Sequence, residues 1–300
     1  MGEEKNKRVI IVSGPTAVGK TAVAIELAKY FQTEIISADS RQCFRELNIG
    51  VARPSKEELE TIPHHFIASH SIHEEVTAIT FEQYALQKIN ELFKWHDVVI
   101  MVGGTGLYIK AFCVGLHAIP DIDTSIRQQI IDNYEKNGLS WLQDQLLEKD
   151  PAFYQSGEIK NPQRMMRALE VLESTGKSIL SYRKGEKSKR DFPITKIGLE
   201  LPKEVLVDRI NSRVDKMMVA GLLEEVKSLL PFNELNALQT VGYTELFNYI
   251  NGKLSLTEAT ERIKINTRQY AKRQLTWFRK DQEIKWFVPE DTDSIIQYVQ

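Results

Sequence analysis

Cysteine is almost absent from this chain: Cys43 and Cys113 are the only two, and they lie far apart. That excludes a disulfide framework and any zinc-finger spacing, and it fits a reducing compartment in which both thiols serve as small buried hydrophobes. Long apolar runs are missing as well, since none approaches the ~20 residues that a helix needs to cross a bilayer. The opening Met1-Gly2-Glu3-Glu4-Lys5-Asn6 has no apolar signal region and lacks the Ser or Thr that a myristoylation motif requires, so a cytoplasmic protein is expected. There is no internal repeat and no low-complexity segment.

What is present is an ordinary globular composition, 42% hydrophobic and 27% charged. At 300 residues the chain exceeds the usual size of one domain, so a large domain with an insertion, or two domains, is expected. Net charge is only -2, but it is unevenly spread. Arg262, Lys264, Arg268, Lys272, Arg273, Arg279 and Lys280 fall in one tract that contains no acidic residue. A basic segment on an otherwise acidic chain points to a local polyanion site. Tyr270, Trp277 and Phe278 are interleaved with these cations and could stack on splayed bases, although core packing is the ordinary role of Trp277 and Phe278.

Val9 to Val12 reads as a short buried strand, followed by a Gly-rich turn and a helix from Thr21 to Tyr30. Glu34 to Asp39 reads as a second strand ending in a carboxylate. Val98 to Val102 reads as a third, turned by Gly103-Gly104-Thr105-Gly106 into a helix from Leu107. Strands alternating with helices imply a parallel, doubly wound sheet. From about Pro120 to Gly176 the pattern is wholly helical. Ile126, Ile130, Ile131 and Tyr134 form a stripe closed by Gly138, Ser140 can cap the next helix, and Asn161-Pro162 open another with Met165, Ala168, Leu169 and Leu172 on one face. A polar, basic stretch from Tyr182 to Arg190 leads to a strand marked by Ile197, Leu199 and Leu201, then to a helical tract from Pro202 to about Leu230. Helices dominate to Lys280, before an apolar run at Ile284 to Val288 and a helical tail. The expected class is α/β: a P-loop NTPase-like parallel sheet flanked by helices, over 1–118 and 180–300, with a small all-helical insertion domain over 119–179.

The run Gly14-Pro15-Thr16-Ala17-Val18-Gly19-Lys20-Thr21 fits the P-loop pattern of two glycines, Lys and Thr at fixed offsets, between a strand and a helix. Glycines let backbone N–H groups converge on phosphate oxygens, the helix N-terminus adds positive potential, Lys20 supplies charge and Thr21 can ligate Mg2+. By motif alone this would also be an ATP site. A P-loop NTPase, however, carries a further strand ending in Asp or Glu, whereas Val98 to Val102 ends in glycines. The strand-terminal carboxylate is instead Asp39, placed to act on an acceptor beside the phosphate site.

The segments GPTAVGKT, ISADSRQ (Ile36 to Gln42), PHHF (Pro63 to Phe66), GGTGLYIKA (Gly103 to Ala111), NPQRMMRALEV, RINSRVDKMMVAGLLEEV, VGYTEL and TRQYAKRQLTWFRK together resemble the tRNA dimethylallyltransferase, or tRNA isopentenyltransferase, family. They occur in order over nearly the whole chain. With no C-terminal zinc-finger extension, the architecture is similar to the bacterial form.

The resemblance implies transfer of a dimethylallyl group from its diphosphate to N6 of adenosine 37, beside the anticodon, in tRNAs that read codons starting with uridine. Mg2+ would be the cofactor and the tRNA anticodon stem-loop the partner, with no membrane and no obligate protein partner, and with monomer as the default state. Gly14 to Thr21 (Gly14, Pro15, Thr16, Ala17, Val18, Gly19, Lys20, Thr21) would hold a leaving group rather than ATP, with Arg213 a further diphosphate candidate and Thr21 the metal ligand. Asp39 would be the general base or anchor for the adenine amine, and Thr105 would hydrogen-bond near the diphosphate or the target nucleotide. Asp39, Ser40, Arg41, Gln42, Thr105, Arg127, Gln163, Arg164, Met165, Met166 and Arg167 correspond to tRNA contacts. His64 and His65 have no metal-ligand spacing and read as loop-structural. Arg53 stands where the family commonly has lysine, keeping charge but changing donor geometry, and VGYTEL around Gly242 and Tyr243 is less basic than in many relatives. Three rivals remain open on the sequence alone: an adenylate dimethylallyltransferase acting on free AMP, a P-loop small-molecule kinase, and a non-catalytic RNA-binding protein whose P-loop senses nucleotide.

Overall fold

A computed structural model describes residues 7–116, 119, 122–182 and 188–300. The leader Met1 to Asn6, the expected domain boundary at 118 and the centre of the polar stretch 182–190 lie outside these residues. The chain divides into two compact units, Met1–Val114 with Lys189–Gln300, and Gly115–Ser188. No described helix is long and apolar enough to cross a membrane.

In chain order the first unit begins with β1 (Arg8–Ser13), α1 (Lys20–Phe31), β2 (Ile35–Ser37), α2 (Lys56–Thr61), β3 (His64–His65), α3 (Ala78–Leu92), β4 (Val98–Gly103) and α4 (Gly106–Val114). The second unit holds α5 (Thr124–Lys149), α6 (Pro151–Gln155), α7 (Pro162–Thr175) and α8 (Ile179–Tyr182). The chain then returns with β5 (Ile194–Leu199), α9 (Lys203–Val219), α10 (Leu222–Ser228), α11 (Tyr243–Ile250), α12 (Leu256–Phe278), β6 (Lys285–Phe287) and α13 (Thr292–Val299).

The six described strands form one parallel sheet in the order β3-β2-β4-β1-β5-β6. Covered on both faces, its central strands need apolar residues at consecutive positions, and Val9 to Val12 and Val98 to Val102 are all buried. Ile10, Val12, Ile100 and Val102 pack with Val23, Leu27, Ile210 and Ile295 from α1, α9 and α13. The register pairs Ser13 with Gly103 and Ser37 with Val102, so three strand ends finish together at the carboxyl edge. That edge is where open α/β sheets bind ligands.

Three details depart from the sequence reading. His64 and His65 are not loop but a short edge strand beside Ile35 and Ile36, too brief to leave a periodic signal. The tract after Pro202 is broken at Gly221, whose φ of 98° ends one helix and starts the next. The fifth strand runs from Ile194 to Leu199 with Ile197, Gly198 and Leu199 all buried, so the apparent alternation to Leu201 is coincidental in a strand covered on both sides.

In the second unit Ile130, Leu142, Leu146, Phe153, Met165, Ala168 and Leu169 make a separate core. Gly138 is non-helical, with φ 76° and ψ -166°, which breaks α5 where the sequence places a stop. Asn161 caps α7 by accepting from Arg164 N at 3.2 Å, with Pro162 in the first turn.

Candidate active site

A cleft of about 620 Å³ opens at the carboxyl edge of the sheet, lined by Thr16, Gly19, Lys20, Thr21, Asp39, Gly103, Arg213 and Gln274 among others. Its floor is the loop from Gly14 to Gly19. Gly14 (φ 146°), Ala17 (φ 64°) and Gly19 (φ 108°) all leave the usual backbone regions, which folds the loop into a cup. Gly19 is the N-cap of α1 and supplies no side-chain cap, and the first turn of α1 carries no acidic residue. The first N–H groups of α1 are thus left for an anion.

Lys20 Nζ donates to Pro15 O at 2.8 Å and makes no ion pair among the described residues. Burial pushes its amine down to about 8, with Asp39 pulling it up and Arg213 adding to the fall. Arg213, also lowered by burial with Asp39 opposing, donates from Nη1 to Thr16 Oγ1 at 3.4 Å. Two cations are therefore held in a poorly solvated place with one carboxylate among the groups that act on them. An incoming anion would relieve that arrangement.

Asp39 sits on the turn after β2. Its Oδ1 accepts from Arg41 N at 2.9 Å and Gln42 N at 3.2 Å, while Oδ2 has no hydrogen-bond partner among the described residues. One oxygen anchors the carboxylate and the other remains for a proton. Thr105 lies on the neighbouring turn after β4, where Oγ1 accepts from Ser40 N at 3.0 Å and donates to Ser40 Oγ at 3.3 Å. The two turns touch so closely that a Cβ on Gly103 would lie 2.1 Å from Ala38 O. Only glycine fits there, so the close approach of the two turns accounts for Gly103. Thr105 binds its neighbour's backbone, so its hydroxyl acts first as a brace for the Asp39 turn.

The opposite wall is the loop around Val51, Ala52 and Pro54. Gln42 holds it by donating from Nε2 to Ala52 O at 2.9 Å and Val51 O at 3.3 Å, with its Oε1 accepting from Ser37 Oγ at 3.1 Å. Among the expected tRNA contacts, the Gln42 side chain is thus spent on the wall. Arg53 donates to the carbonyls of Phe44 (2.9 Å), Arg45 (3.1 Å) and Leu47, a three-way contact that a lysine ammonium would make with less fixed geometry. Glu225 accepts from Ile49 N (2.7 Å), Gly50 N (3.1 Å) and the buried Tyr243 hydroxyl (2.5 Å). The VGYTEL and GLLEEV segments therefore meet to brace this wall, which no local pattern in either segment could have revealed.

Arg41 makes no hydrogen bond or ion pair through its guanidinium among the described residues. Along α12 and just past its end, Lys264 pairs with Asp215 (2.8 Å) and Glu261 (3.0 Å), and the C-cap Arg279 with Glu200 (2.9 Å), whereas Arg262, Arg268, Lys272, Arg273 and Lys280 have no ion-pair partner among the described residues. Phe278 is buried and Trp277 is 38% exposed, so packing accounts for the first and only in part for the second.

In the helical unit Gln163, Arg164 and Arg127 are exposed or partly so, and Arg167 is half-buried. Arg167 Nη1 lies 3.2 Å and Arg127 Nε 3.8 Å from the buried Glu170 carboxylate, and Arg164 lies 3.7 Å from Glu158. Met165 and Met166 must be corrected: both are buried, at 0% and 6% exposure, in the core of this unit. Their side chains face inward because they occupy the apolar stripe of α7, so a contact with tRNA there would fall to the backbone or the neighbouring polar side chains.

Tyr270, one of the aromatics interleaved in the basic tract, lines the cleft from α12 together with Gln274, which a reading of that tract for cations and aromatics does not single out. Burial pushes the Tyr270 phenol up to about 12, so it stays protonated through the physiological range.

Residues 42–281 match the IPP transferase family model. A tRNA dimethylallyltransferase of Christiangramia forsetii is 48% identical over 293 residues, covering 97% of each chain. Another from Flavobacterium johnsoniae is 47% identical, covering 98% of this chain and 97% of its own. Among solved structures, the tRNA isopentenylpyrophosphate transferase of Bacillus halodurans superposes with a TM-score of 0.72 at 35% identity, over 98% of this chain and 96% of the other. A eukaryotic dimethylallyltransferase acting on tRNA gives 0.72 at 29% identity, over 90% and 69% respectively.

Proposed function

This chain belongs to the IPP transferase family and transfers a dimethylallyl group to tRNA, and from that premise we propose how its cleft carries the reaction. Dimethylallyl diphosphate binds with its phosphates on the loop Gly14 to Gly19, the first turn of α1, Lys20 and Arg213. The target is N6 of adenosine 37, in tRNAs reading codons that start with uridine. The N6 nitrogen forms a bond to the allylic carbon as that carbon's bond to oxygen breaks, and the diphosphate leaves with the electron pair. Asp39 Oδ2 takes the N6 proton. Ser40, Arg41 and the exposed cations of α12 meet the tRNA, as do Arg127, Gln163, Arg164 and Arg167.

The observation that carries this reading is the pairing, in one cleft, of an uncapped helix N-terminus with Lys20 and an anchored carboxylate with a spare oxygen. Negative charge builds on the diphosphate as the bond breaks, and preorganised donors act where charge develops. The oxygen donors Thr21 and Asp39 line the same cleft, and no described group of three or more His, Cys, Asp or Glu forms a closed metal cage. That set fits Mg2+, which is usually held by one or two protein oxygens plus substrate phosphates. Thr21 would hold the ion with the diphosphate, and when bound it supplies charge neutralisation of the leaving group. The protein is expected to work in the cytoplasm.

The test is transfer of labelled dimethylallyl from its diphosphate, with Mg2+, to unmodified tRNA and in parallel to AMP. Label on tRNA alone is expected. Label on AMP alone would move the acceptor to free nucleotide, and label on neither would overturn the reading.

Donor capture should also depend on pH. The diphosphate requires Lys20 as its ammonium, so affinity is full below the free-enzyme value of about 8 and is lost as pH rises through it. Affinity of the free enzyme for inorganic diphosphate is expected to fall by about tenfold per pH unit above that value. A profile flat from neutrality to about pH 10, where an unperturbed lysine would begin to titrate, would remove Lys20 from the donor site.

A further inference from the structure

Gln274 lies on the inner face of α12, 6% exposed, within the same tract as the basic residues. Its Oε1 accepts from Thr16 N at 2.8 Å, and its Nε2 donates to Gly104 O at 2.9 Å. One amide thus ties the phosphate loop after β1 to the turn after β4. Those loops leave adjacent strand ends, Ser13 paired with Gly103. The fit is tight: a Cβ on Gly104 would lie 2.2 Å from Gln274 Nε2. Thr16 is gripped twice, through its amide by Gln274 and through its hydroxyl by Arg213.

We propose that Gln274 is a positioning residue for the transfer reaction, setting the phosphate loop against the turn that carries Thr105 and, through Thr105, against Asp39. The chain of contacts is continuous. Gln274 fixes Gly104, Thr105 next to it binds Ser40, and Asp39 precedes Ser40 on the same turn. The loop that receives the diphosphate and the carboxylate that receives the proton are carried by different strands. Above the sheet the Gln274 amide bridges the phosphate loop to the turn after β4, and a backbone bond from Thr105 N to Ala38 O joins that turn to the one bearing Asp39. An amide suits the task because it offers an acceptor and a donor at once, one for each loop. A carboxylate would serve Thr16 and repel Gly104 O, and an apolar chain would serve neither. With both ends of its amide engaged by the two loops, Gln274 acts without touching tRNA.

The inference rests on the reading of the cleft as a diphosphate site, and the experiment separates the two. Gln274→Met keeps the length and volume of the side chain and removes both hydrogen bonds. Binding of inorganic diphosphate with Mg2+ by calorimetry, binding of tRNA, and single-turnover transfer are measured for wild type, Gln274→Met and Lys20→Ala. Gln274→Met is expected to weaken diphosphate binding and slow transfer at least tenfold each, with tRNA affinity within twofold of wild type. If wild type does not bind diphosphate, or Lys20→Ala binds it equally well, the reading of the cleft fails. If that reading holds and Gln274→Met behaves as wild type, or loses tRNA affinity as much as diphosphate affinity, the positioning role is overturned.

A double-mutant cycle gives an independent check. Because Gly104→Ala displaces the Gln274 amide, its effect on transfer should be largely absent in a Gln274→Ala background, whose shortened side chain leaves room for the added Cβ. Additive effects would show that Gly104 acts by some other route and would sink the proposal.

Discussion

Replacing Asp39 by alanine is expected to lower the single-turnover rate by about 10²- to 10⁴-fold, the usual span of a general base, while leaving tRNA affinity within a few-fold of wild type. The exocyclic amine of adenine shares its lone pair with the ring and is a poor nucleophile unless its proton leaves as the new bond forms. Asp39 Oδ2 has no partner among the described residues and is available for that proton, whereas Oδ1 is held by the amides of Arg41 and Gln42. Asp39→Asn is the informative companion, since its side-chain oxygen can still accept from both amides and keep the turn. Loss of rate in both variants, with tRNA binding retained in both, would identify proton removal as the role. Near-normal turnover in Asp39→Asn would reduce the residue to a turn anchor, and an equal loss of rate and tRNA affinity in Asp39→Ala would make it a binding residue.

Lys20→Met is expected to lower kcat/KM for the donor by about 10²- to 10³-fold, in the range seen when one preorganised group facing developing charge is removed. The substitution should also abolish the fall in donor capture above the Lys20 value of about 8, because the titrating amine is gone. The free protein, by contrast, should be no less stable to heat. The fold disfavours the Lys20 ammonium, as its lowered value records, so removing it relieves a cost that exists for the sake of the substrate. A variant that bound donor normally, or that lost activity only because it unfolded, would contradict this account of the cleft.

How much of the site the sequence discloses depends on how local each device is. The loop Gly14 to Thr21 is legible because a cupped turn leading into an uncapped helix N-terminus is encoded in consecutive residues. Asp39 is legible because a short apolar strand runs into it, although the strand itself stops at Ser37 and Asp39 stands on the turn beyond. The helical unit is legible as helical, and Gly138 and Asn161 mark its breaks, since capping and left-handed backbone are single-residue effects. The short strand at His64–His65 is not legible, because two residues carry no period and its existence depends on pairing with Ile35 and Ile36.

Orientation is not legible where residue type alone is consulted. Met165 and Met166 sit beside exposed Gln163 and Arg164, yet the phase of α7 turns them into the core. Gln42 follows two polar residues on a partly exposed turn, yet its amide is consumed by Val51 O and Ala52 O. Tyr243 reads as one residue of a short motif until Glu225 is seen to receive its hydroxyl together with two loop amides.

By itself, then, the sequence determined the parallel α/β architecture, the phosphate-binding turn, the carboxylate beside it and the family, because each is written in contiguous residues or in their order along the chain. Only the tertiary structure decided which side chains face the cleft and which are bonded into the scaffold. That division is set by partners far away in sequence, as when Gln274 reaches Thr16 and Gly104 across more than half the chain, and a hydrogen bond between distant segments leaves no periodicity in either of them.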